Sequence, residues 1–206
     1  MNRDQIAAAA LKLADQGGLD AVTMRDVAKL IGAGAMSLYR HVPNKDGLLD
    51  LILDRAFGEM DIPAPGSLSS RRALAQAARS GRRTMLAHPW LSTLTTMRPT
   101  LGENYLRWFE SMLEITRAPR RSIRTQVRII GTLWSFVSGF AAYENGERQT
   151  GITAAEKRVA AMPRVEQILQ SGNYPRLKEF VAAGIGDPTD ADFDFGLTAV
   201  LDGLGV

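Results

Sequence analysis

The 206-residue chain is 45% apolar and 23% charged, with a net charge of +3 and no cysteine. Its length gives room for a sizeable core in one or two domains, and the missing thiols exclude disulfides, thiolate catalysis and cysteine-held metals. No apolar run approaches the ~18 residues of a spanning helix and no charged-then-apolar leader opens the chain, so a cytoplasmic protein without membrane contact is expected.

Residues 3–16 are expected to form a first helix capped by Asn2, with Ile6, Ala10, Leu13 and Ala14 as its apolar stripe and Gly17-Gly18 at its end. Thr23 then stands where a helix needs a cap, and Asp26 three residues on completes a capping box. Val22 and Val27 occupy the positions of a hydrophobic staple, while Met24, Val27, Ala28 and Ile31 share one face. Gly32 suits the left-handed residue that ends a helix. A short helix over 35–41 follows, with Ala35, Leu38 and Val42 inward and Met36, Ser37, Tyr39, Arg40 and His41 at least partly outward. Pro43 blocks its extension, Asn44 caps a fourth helix over 44–60, and Leu48, Leu51, Ile52 and Ala56 face inward. The stretch 61–67, with two prolines and a glycine, is a linker that divides the chain into residues 1–60 and 68–206.

A long helix over 68–88 carries Arg71, Arg72, Arg79, Arg82 and Arg83 without an acid. These cations spread around the helix and no aromatic residue interleaves, which reads as a solvated face rather than a second nucleic-acid patch. Pro89 opens and Pro99 closes a short helix, and residues 102–115 form the next, with Tyr105, Leu106, Phe109, Met112 and Leu113 on overlapping faces. Residues 122–145 give the longest apolar helix. Ile123, Val127, Ile130, Leu133, Trp134, Val137, Phe140 and Ala141 follow helical spacing, while Ile129, Phe136 and Tyr143 add apolar surface elsewhere, so more than one side needs cover. A polar break at 146–152 precedes a helix over 153–170 interrupted by Pro163 and a short one over 174–183. Thr189 or Asp190 caps a last helix carrying Phe193, Phe195, Leu197, Val200, Leu201 and Leu204. No strand-like alternation of useful length occurs, so the fold is expected to be all-α.

Two short helices joined by a glycine turn make a helix-turn-helix, whose second helix enters the DNA major groove. The runs T-M-R-D-V-A and S-L-Y-R-H-V-P-N-K, with the apolar run after Lys45, resemble the DNA-binding domain of the TetR (tetracycline repressor) family of bacterial transcription regulators. The resemblance is specific over residues 3–58 and beyond them extends only to the helical layout. Ser37 stands where many relatives have Thr and Val42 where many have Phe, and Ala35 and Met36 are atypical. These departures bear on the operator sequence and not on the mode of binding. The resemblance implies a helix-turn-helix domain with a linking fourth helix, followed by a helical domain that dimerises through a four-helix bundle and holds a small-molecule effector. The implied function is a regulator, most simply a repressor, released from a palindromic double-stranded operator by that effector.

Charge distribution does not by itself point to DNA, because residues 1–61 hold seven Lys+Arg against nine Asp+Glu. Local placement decides. Arg25, in the first turn of the second helix, matches guanine O6 and N7 bidentately, serves a phosphate, or is merely a solvated charge. Ser37 suits a base edge or a phosphate, and Ala35 and Met36 suit a thymine methyl. Tyr39 offers a phenol to phosphate and a ring to thymine, or packs at the core edge. Lys45 suits a phosphate. Arg3 reaches a phosphate or is merely solvated; His41 contacts a phosphate or packs against the turn. Thr23 and Arg40 complete the DNA-facing set.

In the second part, Trp90, Leu94, Met97, Tyr105, Phe109, Met112, Trp134, Val137 and Phe140 either line an effector pocket or are ordinary core. The helices over 122–145 and 190–205 are the expected dimer surface of a homodimer. No cofactor or metal is expected. The two histidines, His41 and His88, form no local metal pattern, and neither a G-x-S-x-G elbow nor a phosphate-binding G-x-x-x-x-G-K-[ST] loop occurs. An enzyme is therefore not expected. The metal–tetracycline site of the family's founder needs imidazoles with no evident counterpart here. The alternative to a regulator is an all-α interaction module or enzyme that reuses a helix-turn-helix for protein contact.

Overall fold

The computed structural model describes residues 1–97, 101–150, 154–184 and 186–206, with the side chains of 96–97, 147–150 and 154–158 left aside. Every regular element among the described residues is helical. The order is α1 (Arg3–Gly17), α2 (Met24–Leu30), α3 (Ala35–Tyr39), α4 (Lys45–Gly58), α5 (Ser70–Ala87), α6 (Leu91–Met97), α7 (Glu103–Thr116), α8 (Ile123–Thr150), α9 (Ala154–Leu169), α10 (Pro175–Ala182) and α11 (Asp190–Gly203). A single 3-10 turn, Leu19–Ala21, joins α1 to α2.

Local chemistry sets the first four helices. Asn2 and Gln5 form a reciprocal capping box on α1. Thr23 caps α2 by accepting from the Asp26 N–H at 3.1 Å. The expected box there is half made: the Asp26 carboxylate accepts from the Thr23 hydroxyl at 2.5 Å instead of returning to the Thr23 N–H. Gly32 has φ 67°, and its N–H donates to the Lys29 carbonyl while the Ala33 N–H reaches back to Ala28, the bond pair of a Schellman end. The turn then throws α3 across α2. Ile6, Val22, Val27, Leu38, Leu48 and Ile52 are wholly buried between α1 and α4, each contributing roughly 1.5–3 kcal/mol of apolar burial. Ala35, expected inward, is exposed although it shares a face with Leu38: it opens the short helix α3, of which only Leu38 reaches the core. The helix also ends earlier than expected, at Tyr39, and Val42 is buried from the following loop.

α4 leads from this N-terminal bundle into the rest of the molecule. Its far end packs on α7, and the Asp54 carboxylate caps α7 from outside, accepting from the Tyr105 N–H at 3.0 Å and the Asn104 amide at 3.1 Å. Gly102 makes room for that approach, since a Cβ there would fall 2.1 Å from the carboxylate. The residues buried at either end of α4 belong to one contiguous cluster.

α5 and α8 are the central pair of the C-terminal bundle, flanked by α7 and α11. Gly81 lets α5 approach the ring of Trp134 on α8. The helix expected to break at 146 continues to Thr150. A glycine within a helix costs only about 1 kcal/mol relative to alanine, and the buried Asn145 amide beside it donates to the Met85 carbonyl at 2.8 Å. α9 likewise runs through Pro163. α6 starts at Leu91, leaving Pro89 in the preceding turn, and Pro99 lies outside the described residues.

Of the arginines of α5, Arg72 and Arg83 are solvated as expected, and Arg71, Arg79 and Arg82 differ. Arg82 donates to Glu144 of α8 at 2.8 and 2.5 Å and to Asp190 of α11 at 2.7 Å, with its guanidinium 4.6 Å from the Phe193 ring centre. Arg79 pairs with Asp194, and Arg71 with Asp202. The helix lacks its own acids because α8 and α11 bring them. On α11, Phe193, Leu197 and Leu201 are buried at helical spacing, while Phe195 is 80% exposed.

Candidate nucleic-acid interface and effector-binding core

The start of α2, α3 apart from the buried Leu38, and the start of α4 present exposed or half-exposed side chains. Arg25 stands on the first turn of α2, with the Thr23 hydroxyl closing the cap beneath it. On α3, Met36 is 79% exposed and Tyr39 47% exposed, so neither fills the core. The Arg40 guanidinium donates to the Ser37 hydroxyl at 3.1 Å, tying the two most polar groups of the helix together. His41 is exposed, and Lys45 begins α4 next to its Asn44 cap. Arg3, Arg25 and Lys45 form no ion pair among the described residues. A surface of unpaired cations, a hydroxyl and exposed thymine-sized apolar groups has the chemistry for phosphates and base edges. Arg3, at the start of α1, stands apart in sequence from the other residues of the set.

The C-terminal bundle gathers an aromatic cluster. Phe57 of α4, Tyr105, Trp108 and Phe109 of α7 and Trp134 of α8 form a chain of ring contacts with centroids 4.8–6.5 Å apart. Burial raises the Tyr105 pKa. The Trp108 indole N–H is buried without a hydrogen-bond partner, as is the Ser138 hydroxyl on α8. A cleft of about 190 Å³ adjoins the cluster, lined by Phe57, Met60, Asn104 and Trp108 among others. Met112, Leu94 and Val137 are fully buried within the same core. Two of the expected pocket residues sit elsewhere. Trp90 lies at the junction with α1, its indole donating to Asp15 at 2.7 Å, beside a cleft of about 690 Å³. Phe140 packs tilted against Phe136 and edge-on against Phe193, under Arg82. The side chain of Met97 lies outside the described residues.

Comparison with known proteins accounts for both halves. The model of the tetR family of bacterial regulatory proteins matches residues 6–52, and that of the tetracyclin repressor-like C-terminal domain matches residues 62–206. The chain belongs to the TetR family. It is 38% identical to the HTH-type transcriptional repressor DrrR1 of Streptomyces coeruleorubidus, over 98% of this chain and 77% of that protein. An HTH-type transcriptional regulator of Saccharopolyspora erythraea is 32% identical, over 99% and 84% of the respective chains. Among solved structures, the TetR family protein ActR of Streptomyces coelicolor in complex with actinorhodin superposes with a TM-score of 0.84 at 28% identity, over 99% of this chain and 95% of that one. The protein is thus a helix-turn-helix transcriptional regulator and not an enzyme, in a family whose members act as dimers on operator DNA in response to small molecules. No helix among its described residues is long and apolar enough to cross a membrane.

As a TetR-family regulator the chain holds groups that its linear pattern left unmarked. Trp108 falls three residues after Tyr105 and four before Met112, so helical spacing alone could have placed it among the aromatic set. Phe57 reaches that cluster from α4, which no local signal foretells. Asp54 and Asp15 carry no local signal in the sequence, yet each bridges helices from the two halves.

Proposed function

We propose that residues 1–60 are the DNA-reading head and residues 68–206 the effector-binding and dimerising body of a cytoplasmic repressor. Two heads in a two-fold dimer would set α3 into successive major grooves of a palindromic operator. Arg25 reads a base, Ala35, Met36, Ser37 and Tyr39 face base edges, and Arg3, Arg40, His41 and Lys45 hold phosphates. Thr23 serves this surface by capping α2 beneath Arg25. The observation that carries the reading is the company the cations keep: Arg25 and Lys45, without ion pairs among the described residues, flank a helix α3 that exposes Met36 and Tyr39 beside the Ser37 hydroxyl.

The dimer surface pairs α8 with α11. The outward side of α8 carries Gly131, Ser135, Gly139 and Ala142, which let a second helix approach closely, and Phe195 projects from α11. Leu201, turned inward at 2% exposure, belongs to the protomer core instead.

The effector is a planar aromatic molecule with a hydrogen-bond acceptor. It enters from the cleft at Phe57 and Trp108 by parting the packed set of Tyr105, Phe109, Met112, Trp134 and Val137, with Leu94 behind them and an acceptor on the unpaired Trp108 N–H. Trp90 and Phe140 stand apart from this set, at the junction with α1 and under Arg82. Because Phe57 belongs to α4, an occupant that spreads the cluster displaces the helix that carries the head. An effector acts only through unequal affinity for the two poses. The test is a titration of a duplex selected from a random pool, followed by fluorescence anisotropy, with actinorhodin and (S)-DNPA, the ligands of the ActR structures, as first probes. Loss of duplex affinity together with tryptophan quenching supports the coupling. A probe that quenches tryptophan and leaves duplex affinity unchanged refutes it.

A further inference from the structure

Three helices end within side-chain reach of one residue. His88 is the C-cap of α5, Asp15 lies in the last turn of α1, and Glu59 is the C-cap of α4. The His88 ring is almost completely buried. Its Nδ1 is 2.7 Å from Asp15 Oδ1 and its Nε2 2.8 Å from Glu59 Oε2. Asp15 Oδ1 also accepts from the Trp90 indole at 2.7 Å, which fixes the carboxylate against the body.

We propose that His88 is a cationic pin: an imidazolium that positions the DNA-reading head on the body by holding one carboxylate from each of the two helices that frame the head. This rests on reading residues 1–60 as that head. An ionised carboxylate only accepts hydrogen bonds, and a neutral imidazole has one donor nitrogen and one acceptor nitrogen. Both ring nitrogens face carboxylates here, so only the doubly protonated ring satisfies both. A neutral ring would turn a lone pair toward Asp15 or Glu59 and release that helix end. The negative ends of the α1, α4 and α5 dipoles converge on the ring and favour the same charge.

The charged groups facing the ring are Asp15 from α1 and Glu59 from α4. Asp20 lines the adjoining cleft from the 3-10 turn, and α6 contributes no charged residue. Burial pulls the His88 pKa down, but the hydrogen bonds to Asp15 and Glu59, with their charges, bring it above 6.5. A raised folded-state pKa gives stabilisation that is complete below the unfolded value and lost as pH rises through the folded one. Tethering of the head therefore weakens on the alkaline side, where the ring loses its proton.

The chain has two histidines and no cysteine, so both the ring and the pose can be followed cleanly. Imidazole nitrogen NMR follows His88 with exposed His41 as internal reference. Spin labels at Lys29→Cys and Glu110→Cys, two exposed positions, report the distance between head and body in spin-diluted samples without DNA. The expected result is a His88 ring protonated on both nitrogens at pH 6.5, and a label distribution that shifts or broadens as it titrates at higher pH. Operator affinity falls several-fold over the same interval. In Glu59→Gln, which keeps an acceptor and removes a charge, both transitions move to lower pH. In His88→Gln the distance no longer responds in that interval; if this variant fails to fold, Glu59→Gln carries the test. A neutral His88 ring at pH 6.5, or a label distance indifferent to its titration, overturns the pin. The NMR and distance readouts need no DNA, so failure to bind any duplex would count against the reading head and not against the pin.

Discussion

Arg25 and Arg82 carry the same guanidinium into opposite situations. Arg25 stands exposed on the first turn of α2 without an ion pair among the described residues. Arg82 is mostly covered, holds two carboxylates from α8 and α11, and lies against two phenyl rings. A satisfied cation is part of the structure; an unsatisfied one retains its hydrogen-bonding capacity for a phosphate or a guanine. The head leaves Arg25 and Lys45 without ion pairs among the described residues, beside α3, whereas Arg71, Arg79 and Arg82 of the body bind its own helices together.

Three substitutions probe that contrast, the largest effect first. Arg82→Ala should destabilise the fold by about 3 kcal/mol, because Glu144 is left largely buried and unpaired. Urea denaturation measures it, and the folded fraction should keep its operator affinity. An operator defect at full stability would place Arg82 on the DNA side of the comparison.

Phe195→Asp comes next. It should cost roughly 2 kcal/mol in dimer association, as expected of a central interface aromatic, with little effect on protomer folding because the side chain is 80% exposed. Sedimentation velocity reads the shift to monomer. An undisturbed dimer would move the interface away from α11. Leu201→Asp should instead unfold the protomer, since Leu201 is buried.

Thr23→Ala should lose about 1 kcal/mol of stability, the usual worth of a helix cap. Thermal unfolding measures it. Base preference on a randomised half-site should stay the same, because the Thr23 hydroxyl is engaged with Asp26. A changed base preference would give that hydroxyl a reading role as well.

The same comparison shows where the sequence was legible. The head is built from short-range instructions: caps at Asn2, Thr23 and Asn44, a left-handed Gly32, and stripes at helical spacing. Each acts within a few residues, so pattern and structure agree apart from the half-made box at Thr23, Ala35 and the early end of α3. The body depends on distant partners. Arg82 meets Glu144 and Asp190 across 62 and 108 positions, and His88 meets Asp15 across 73. No spacing rule encodes such pairs, and the five arginines of α5 therefore looked like a solvated face. The inward set of α11 was hidden for a related reason: with Phe193, Phe195, Leu197 and Leu201 all apolar, spacing alone does not tell which side meets α8.

The division of labour between Arg25 and Lys45 tests the account most directly. A bidentate arginine–guanine contact discriminates by ~1–3 kcal/mol, while a phosphate contact carries no sequence information. Arg25→Ala and Lys45→Ala should be titrated on the selected operator and on a scrambled duplex across a salt series. Arg25→Ala is predicted to weaken mainly operator binding and to relax preference at one base pair per half-site. Lys45→Ala is predicted to weaken both duplexes alike and to lower the salt slope by about one for each phosphate that the lysine no longer neutralises. Equal losses for Arg25→Ala on the two duplexes would reduce it to a phosphate contact, and unchanged binding by both variants would contradict the placement of the reading surface on α2, α3 and the start of α4.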